Sequence, residues 1–175
     1  MKLRFTRSNG AVDEAIDRLM TSAEGIRRPE YVREMILAAL KAGQEDDERA
    51  DLKLMNTTLK EMRFTSRVFG PYRNVRKVTV FGSARTAPRE PVYGMAREFG
   101  AKLARSGYMV ITGAGDGIMK AGHGGAGREA SFGVAIRLPF EQKTNQIIAE
   151  DAKLVNFKYF FTRKLMFMKE AAAVA

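Results

Sequence analysis

The sequence predicts an α/β fold, a Rossmann-like parallel sheet flanked by helices and preceded by a helical segment. After residue 75, short and almost continuously apolar runs alternate with helical periodicity, a pattern typical of buried parallel strands joined by helices. Glycine-rich turns follow several of these runs, whereas residues 11–70 show helical periodicity only. We therefore predict two domains, a helical segment over residues 1–74 and a Rossmann-like domain over residues 75–175.

Composition limits the chemistry available to the chain. Its 175 residues include no cysteine, which excludes disulfides, thiolate metal sites and a cysteine nucleophile. The one histidine, His123, cannot form a histidine metal cluster and leaves little room for a Ser-His-Asp triad. We expect His123 to be structural or partly exposed, and we expect neither a metal nor another cofactor.

The net charge of +10 is spread along the chain. Through Lys77 there are 16 basic and 12 acidic residues, and after it 14 and 8, which gives +4 and +6. A dispersed excess without interleaved aromatic and basic residues favours a small anionic ligand over nucleic acid. No run is apolar enough to cross a membrane and residues 1–7 lack a signal core, so we expect a cytoplasmic protein without a membrane partner.

Three helices are predicted in the first domain. Apolar spacing indicates helices over 11–21 and 30–42, the second ended by Gly43. The acidic run 45–48 suits the start of a third helix that continues to about Val68, because carboxylates are favourable at a helix N-terminus. We interpret these helices as solvated on one face and packed on the other, with catalysis located elsewhere.

The second domain alternates strands with helices. Adjacent phenylalanines at 160 and 161 leave one ring facing away from the sheet, which favours a contact in a homodimer or larger homo-oligomer. Predicted strands cover residues 77–81, 109–111, 132–138 and 153–157, with a fifth beginning at 174, and predicted helices cover 92–105, 118–130 and 160–171.

The turn after the second strand is the strongest candidate site. Gly113, Gly115 and Gly117 lie between an apolar strand and the start of a helix. Glycines permit positive φ and bring backbone N–H groups close to a ligand, and the helix dipole favours an anion such as phosphate. A sharp βα turn without a ligand is the alternative interpretation.

Two further corners are expected at the same edge of the sheet. Gly82 and Ser83 follow the first strand, and the corner 139–141, which contains Glu141, follows the third. Ligands of open parallel sheets bind outside the carboxyl ends of the strands, so the three corners together predict one binding site. The Ser83 hydroxyl either donates to a phosphate or caps the segment after it.

The spacing of the glycines narrows the ligand class. Gly-x-Gly-x-Gly after the second strand, with no acidic residue at the end of strand 132–138, argues against NAD. No Gly-Lys-Ser/Thr follows the glycines, so a P-loop is excluded. A mononucleotide or a sugar phosphate remains.

Four segments occur in a consistent order, Phe81-Gly-Ser-Ala, Thr112-Gly-Ala-Gly-Asp-Gly-Ile-Met, Leu138-Pro-Phe-Glu-Gln and Tyr159-Phe-Phe-Thr-Arg-Lys-Leu-Met. Together they resemble the LOG family, the Rossmann-type "lysine decarboxylase-like" proteins known as cytokinin riboside 5′-monophosphate phosphoribohydrolases. The resemblance covers roughly residues 77–175, and the helical N-terminus is similar to that of the longer bacterial members.

The resemblance implies hydrolysis of the N-glycosidic bond of a nucleoside 5′-monophosphate, either a cytokinin riboside monophosphate or AMP, to a base and ribose 5-phosphate. Arg163 would be the catalytic arginine and Lys164 its neighbour in binding, while Glu141 matches a carboxylate that contacts the nucleotide. The binding positions that the motifs carry over are Gly82, Ser83, Gly113, Ala114, Gly115, Gly117 and Met119.

Two departures accompany the resemblance. Ala114 stands where the family usually has glycine, and a methyl group is tolerated there unless the residue needs positive φ. The family motif Pro-Gly-Gly-x-Gly-Thr-x-x-Glu, which supplies the main phosphate cradle and the catalytic glutamate, is expected just beyond Val174 and does not occur. We therefore expect a C-terminally truncated chain that is inactive as it stands. The alternative function is a nucleotide-binding or phosphate-binding carrier or sensor without turnover.

Overall fold

The computed structural model describes residues 8–45, 48–138 and 144–175. Contacts within the chain define two compact units, residues 1–56 and residues 57–175. None of the helices in the described ranges is both long and apolar enough to span a bilayer.

The first unit contains helices α1 (Ala11–Ser22) and α2 (Pro29–Glu45) and the first turns of α3 (Arg49–Phe69). Arg33 of α2 joins the two helices, because its guanidinium lies 2.8 Å from an Asp13 carboxylate oxygen and 2.9 Å from one of Asp17. Gly43 lies inside α2, so the predicted end of the helix at that residue is wrong. One glycine costs a helix only about 1 kcal/mol relative to alanine, which neighbouring turns can offset.

The second unit is built on a five-stranded parallel sheet in the order β4-β3-β2-β1-β5, which confirms the predicted fold class. A short 3₁₀ turn over Gly70–Tyr72 leads from α3 into the sheet. The strands are β1 (Lys77–Thr79), β2 (Met109–Thr112), β3 (Ser131–Ile136), β4 (Leu154–Phe157) and β5 (Ala173–Val174), and the helices between them are α4 (Pro91–Arg105), α5 (Ile118–Ala126) and α6 (Phe160–Lys169).

Several elements are shorter than predicted. Helix α5 ends at Ala126 rather than near residue 130, because Gly127 adopts a φ of 81° that an α-helix cannot continue. Strand β1 ends at Thr79, although the backbone N–H groups of Val80 and Phe81 still donate to Ile111 and Ala175 across the sheet. Because the strand itself ends at Thr79, the loop that forms the first corner of the site begins at residue 80, before Gly82.

Apolar side chains cover both faces of the sheet. Along β2, Met109 and Ile111 point to one face and Val110 to the other, as the two-residue period of a strand requires. The first face packs on α6 and on the end of α3, and the second packs on α4 and α5.

The last turns of α3 belong to this sheet unit rather than to the helices before it. The Phe69 ring stacks on that of Phe132 in β3, with ring centroids 4.3 Å apart. Both rings are fully buried. The domain boundary predicted from composition follows residue 74. The boundary between the two compact units lies within α3, where side chains begin to pack on the sheet.

The order of the strands reverses at β1. From β1 the chain adds β2, β3 and β4 on one side, and it then returns to place β5 on the other side of β1. In open parallel sheets such a reversal leaves a crevice at the carboxyl ends of the strands.

Candidate functional site

A cleft of about 520 Å³ opens at the carboxyl ends of β1, β2 and β3, with α6 as its wall. Arg163 and Lys164 are the charged residues among the described residues that line it. Its described lining consists of Phe81, Gly82, Gly113, Gly115, Met119, Ile136, Leu138, Phe160, Arg163, Lys164 and Phe167.

Arg163 is held at the floor of the cleft by its inner nitrogen. Its Nε donates to the carbonyl oxygen of Val134 in β3 at 2.8 Å. The guanidinium carbon lies 5.1 Å from the centre of the Phe167 ring and 6.0 Å from that of Phe160. These contacts fix the guanidinium, while none of the described residues accepts a hydrogen bond from its two outer nitrogens.

The charge on Arg163 is not neutralised within the described part of the chain. No carboxylate there forms an ion pair with it. Burial lowers the pKa of Arg163, because removal from water disfavours the charged form. An anion in the cleft would offset that cost, and apolar walls would strengthen the attraction.

Gly113 lies directly beneath the guanidinium. A Cβ atom at this position would lie 2.6 Å from Nη2 of Arg163 and 2.8 Å from Sδ of Met119. The absence of a side chain thus lets both residues lie directly over the glycine-rich turn. Lys164 is exposed at the rim and forms no ion pair with a described residue.

Gly117 connects the first and second corners. Its φ is 62°, and a Cβ atom there would lie 2.1 Å from the carbonyl oxygen of Ser83. That carbonyl accepts a hydrogen bond from Ile118 N, the first N–H of α5, at 3.0 Å. The start of α5 is therefore partly occupied by the protein itself, which reduces what it can offer to an anion.

Ser83 does not line the cleft. Its Oγ accepts a hydrogen bond from Arg85 N at 3.1 Å, a turn of the kind that serine often makes with the next residues. This geometry matches the capping role that we weighed against phosphate binding. Gly117 and Ala114 are buried and do not line the cleft either.

Ala114 adopts a φ of 63°, a conformation that favours glycine. It is fully buried, and its methyl group packs with Ala135 and Ile148. The positive φ that makes a methyl group unfavourable is thus present at Ala114. Apolar packing of the methyl group compensates for this backbone strain.

Asn145 holds the glycine-rich turn from behind. Its backbone N donates to Ala114 O at 2.8 Å and its Nδ2 donates to Gly115 O at 2.9 Å. Because a trans peptide directs its C=O and N–H groups in opposite directions, the N–H groups of Gly115 and Asp116 point away from Asn145. Gly115 itself lines the cleft.

His123 completes this buried support, and its tautomer follows from its neighbours. The Asn145 amide is oriented by Gly115 O and by Ile147 N, which donates to Oδ1 at 3.2 Å, so its Nδ2 must donate to His123 Nδ1. The proton of the neutral ring then lies on Nε2, 3.1 Å from the carbonyl oxygen of Phe132. His123 is fully buried, which agrees with the structural alternative of the prediction and not with partial exposure, and burial lowers its pKa.

The structure brings Gly82, Gly113, Gly115, Met119 and the pair 163–164 together around one cleft. Glu141 lies outside the described residues, as does the rest of the corner 139–143. In the described ranges no group of three His, Cys, Asp or Glu side chains could hold a metal ion.

Sequence analysis missed the apolar part of the lining and the support behind the turn. Ile136 and Leu138 were predicted only as strand residues, and one ring of the pair 160–161 as a subunit contact, yet Ile136, Leu138 and Phe160 all line the cleft. Asn145 carried no local signal, because its role depends on a turn thirty positions earlier in the chain.

Comparisons with known proteins identify the family. A sequence model of the SLOG cluster4 family, LDcluster4, matches residues 75–162. No curated protein shows a significant match. One solved structure that matches is the X-ray structure of TM1055, with 28% identity over 57% of this chain and a TM-score of 0.43. The alignment covers 59% of that solved chain, less than two thirds of its length. Since the family match spans residues 75–162, just over half of its length, the chain belongs to the SLOG cluster4 family.

Proposed function

We propose that the cleft binds a nucleoside 5′-monophosphate and that the protein hydrolyses its N-glycosidic bond, releasing a base and ribose 5-phosphate. The observation that carries the proposal is Arg163, a half-buried cation without an ionic partner among the described residues, set over a glycine turn. A phosphate is a ligand group that such a guanidinium binds especially well, because its planar fork of donors matches two phosphate oxygens.

The remainder of the lining suits the other end of a nucleotide. Phe81, Ile136 and Phe160 offer apolar and aromatic surface at the same cleft. A flat base packs well on such side chains, while the polar phosphate lies at Arg163 and Lys164. Membership of the family also supports a nucleotide-related function, since the SLOG superfamily includes LOG-like proteins.

Hydrolysis of this bond breaks one bond and forms one. The C1′–N bond breaks with its electron pair moving to the base, which takes a proton, and a water oxygen bonds to C1′ after losing its proton. Positive charge develops on the ribose as the bond breaks, and a carboxylate is the group that stabilises it. By resemblance, that carboxylate is the glutamate of the Pro-Gly-Gly-x-Gly-Thr-x-x-Glu motif, which this sequence does not contain. Glu141 would contact the nucleotide, and Arg163 would orient the phosphate-bearing ribose.

The test is an assay of ribose 5-phosphate release from AMP and from a prenylated AMP. In a protein that carries this segment together with the Pro-Gly-Gly-x-Gly-Thr-x-x-Glu motif, we expect release and its loss, by at least about 100-fold, in Arg163→Ala, because the cation no longer fixes the substrate. Arg97→Ala is the control, since Arg97 belongs to α4 and does not line the cleft. Equal activity in Arg163→Ala would overturn the proposed role.

A second candidate is a binding protein without turnover. It is favoured by the lining itself, because every described lining residue is apolar, a glycine or a cation. Calorimetric binding of AMP by a protein that also carries the Pro-Gly-Gly-x-Gly-Thr-x-x-Glu motif, without any ribose 5-phosphate formed over hours, would support this candidate and reject hydrolysis.

A further inference from the structure

Helix α6, which carries Arg163, has no cap of its own. Its N-cap residue, Tyr159, makes no side-chain hydrogen bond to the helix, and its first turn contains no acidic residue. The first N–H groups of a helix have no partner within it, and a carboxylate near them is favourable.

A carboxylate from α3 lies at this helix start and contacts groups on either side of the N-cap residue rather than the first N–H groups themselves. Oε1 of Glu61 accepts a hydrogen bond from the backbone N of Lys158, and Oε2 accepts one from the hydroxyl of Thr162. Thr162 is fully buried, and its hydroxyl also lies 2.9 Å from the carbonyl oxygen of Tyr159. Glu61 thus fixes the residues on both sides of the start of α6.

Arg163 directly follows Thr162 and depends on this anchor. Its backbone N donates to Tyr159 O at 3.3 Å, while its Nε donates to Val134 O at 2.8 Å. The guanidinium rests where a Cβ atom on Gly113 would be 2.6 Å away. A shift of α6 by about 1 Å would break one of these contacts, and displacements of that size can reduce catalysis about 100-fold.

We propose that Glu61 is a positioning residue for Arg163, holding the first turn of α6 so that the guanidinium lies over the glycine turn. The inference rests on the proposed role of Arg163 in binding the anionic ligand. Glu61 lies in the part of α3 that belongs to the sheet unit and outside the matched residues 75–162, so a residue beyond the matched range takes part in the site.

The first measurement needs no ligand. In the full chain, NMR of the arginine side chains follows solvent exchange of the Arg163 Nε proton, which Val134 O protects. We expect exchange at least about 10-fold faster in Glu61→Ala, a smaller increase in Glu61→Gln, whose amide oxygen still accepts, and no change in Glu129→Ala. Glu129 is an exposed control in the same unit. An unchanged rate in folded Glu61→Ala would overturn the proposal.

The second measurement is a double-mutant cycle on AMP affinity. Glu61→Ala should weaken binding by roughly 10-fold when Arg163 is present and have no further effect in Arg163→Ala, because the two residues act through one contact. Equal losses in both backgrounds would show an effect through general stability and reject positioning. Failure of the wild-type chain to bind AMP would instead reject the proposed function, while the exchange rates would still decide the role of Glu61.

Discussion

A cation is partly or fully buried at each end of the sheet, and the two cations differ in how many hydrogen-bond acceptors the protein gives them. Lys77, at the amino end of β1, is 3% exposed, and its Nζ donates to the carbonyl oxygens of Tyr72 and Val75 at 2.7 and 2.9 Å. Arg163, at the carboxyl end, donates to a single carbonyl and otherwise faces aromatic rings and the cleft.

The difference separates a structural cation from a binding one. Burial lowers the pKa of both groups, so a shifted pKa by itself does not distinguish them. The ammonium of Lys77 spends two of its three donors on backbone carbonyls, whereas most of the five donors of Arg163 have no protein acceptor among the described residues. Unused hydrogen-bonding capacity in a cleft is the better sign of a ligand.

The strongest test of this contrast compares the loss of stability in Lys77→Met with the loss of ligand affinity in Arg163→Ala. Lys77→Met should lower the free energy of unfolding by about 1–3 kcal/mol, because Tyr72 O and Val75 O lose their donor. Phosphate and AMP affinity should stay unchanged. Urea denaturation measures the first quantity and calorimetry the second. Arg163→Ala should show the reverse pattern, and a comparable loss of stability in both variants would remove the distinction.

A third buried nitrogen group, His123, should make stability depend on pH. Its pKa is lowered in the folded state, so between the folded value and the ordinary value near 6.5 the unfolded chain binds more protons. Stability therefore falls as pH drops below about 6.5, by up to about 1.4 kcal/mol per pH unit. Urea denaturation between pH 7.5 and 5.5 measures this slope.

No other histidine contributes in that range, since His123 is the only one in the chain. His123→Gln should therefore flatten the slope whatever its effect on stability at pH 7.5. A slope that survives the substitution would assign the pH dependence to another group.

The smallest effect is expected at Ala114. Ala114→Gly relieves about 1 kcal/mol of positive-φ strain but removes a buried methyl group worth about 0.8 kcal/mol. The net change in unfolding free energy should stay under about 1 kcal/mol, with AMP affinity unaltered. Gly117→Ala is the contrasting variant, because a Cβ atom there would lie 2.1 Å from Ser83 O, and it should destabilise strongly. Similar results for both would contradict the geometry of the turn.

Local patterns carried the prediction of the fold. Apolar runs at β1, β2 and β3 and the glycines after β2 were sufficient to predict a parallel sheet with a site at its carboxyl edge. Each of these signals extends over a few adjacent residues, and strand periodicity and turn chemistry are properties of such short windows.

Contacts between distant residues could not be predicted in the same way. Glu61 resembles any solvated helix carboxylate until α6 is placed beside it, and Asn145 resembles a loop residue until the turn at 114–115 is known. The positive φ of Ala114 has the same origin, because the packing of Ala135 and Ile148 compensates for it. Sequence analysis identified several residues that line the cleft, but not the distant residues that hold them in place.

The place of β5 in the sheet has a consequence for how the protein is made. Val78 of the first strand pairs with Ala173 of the last, so one edge of β1 stays open while everything between them is synthesised. Closing so long a loop carries an entropic cost before any contact rewards it, which makes this pairing a late step in folding. The cleft formed by the first three strands can thus begin to assemble on the nascent chain before β5 has been synthesised.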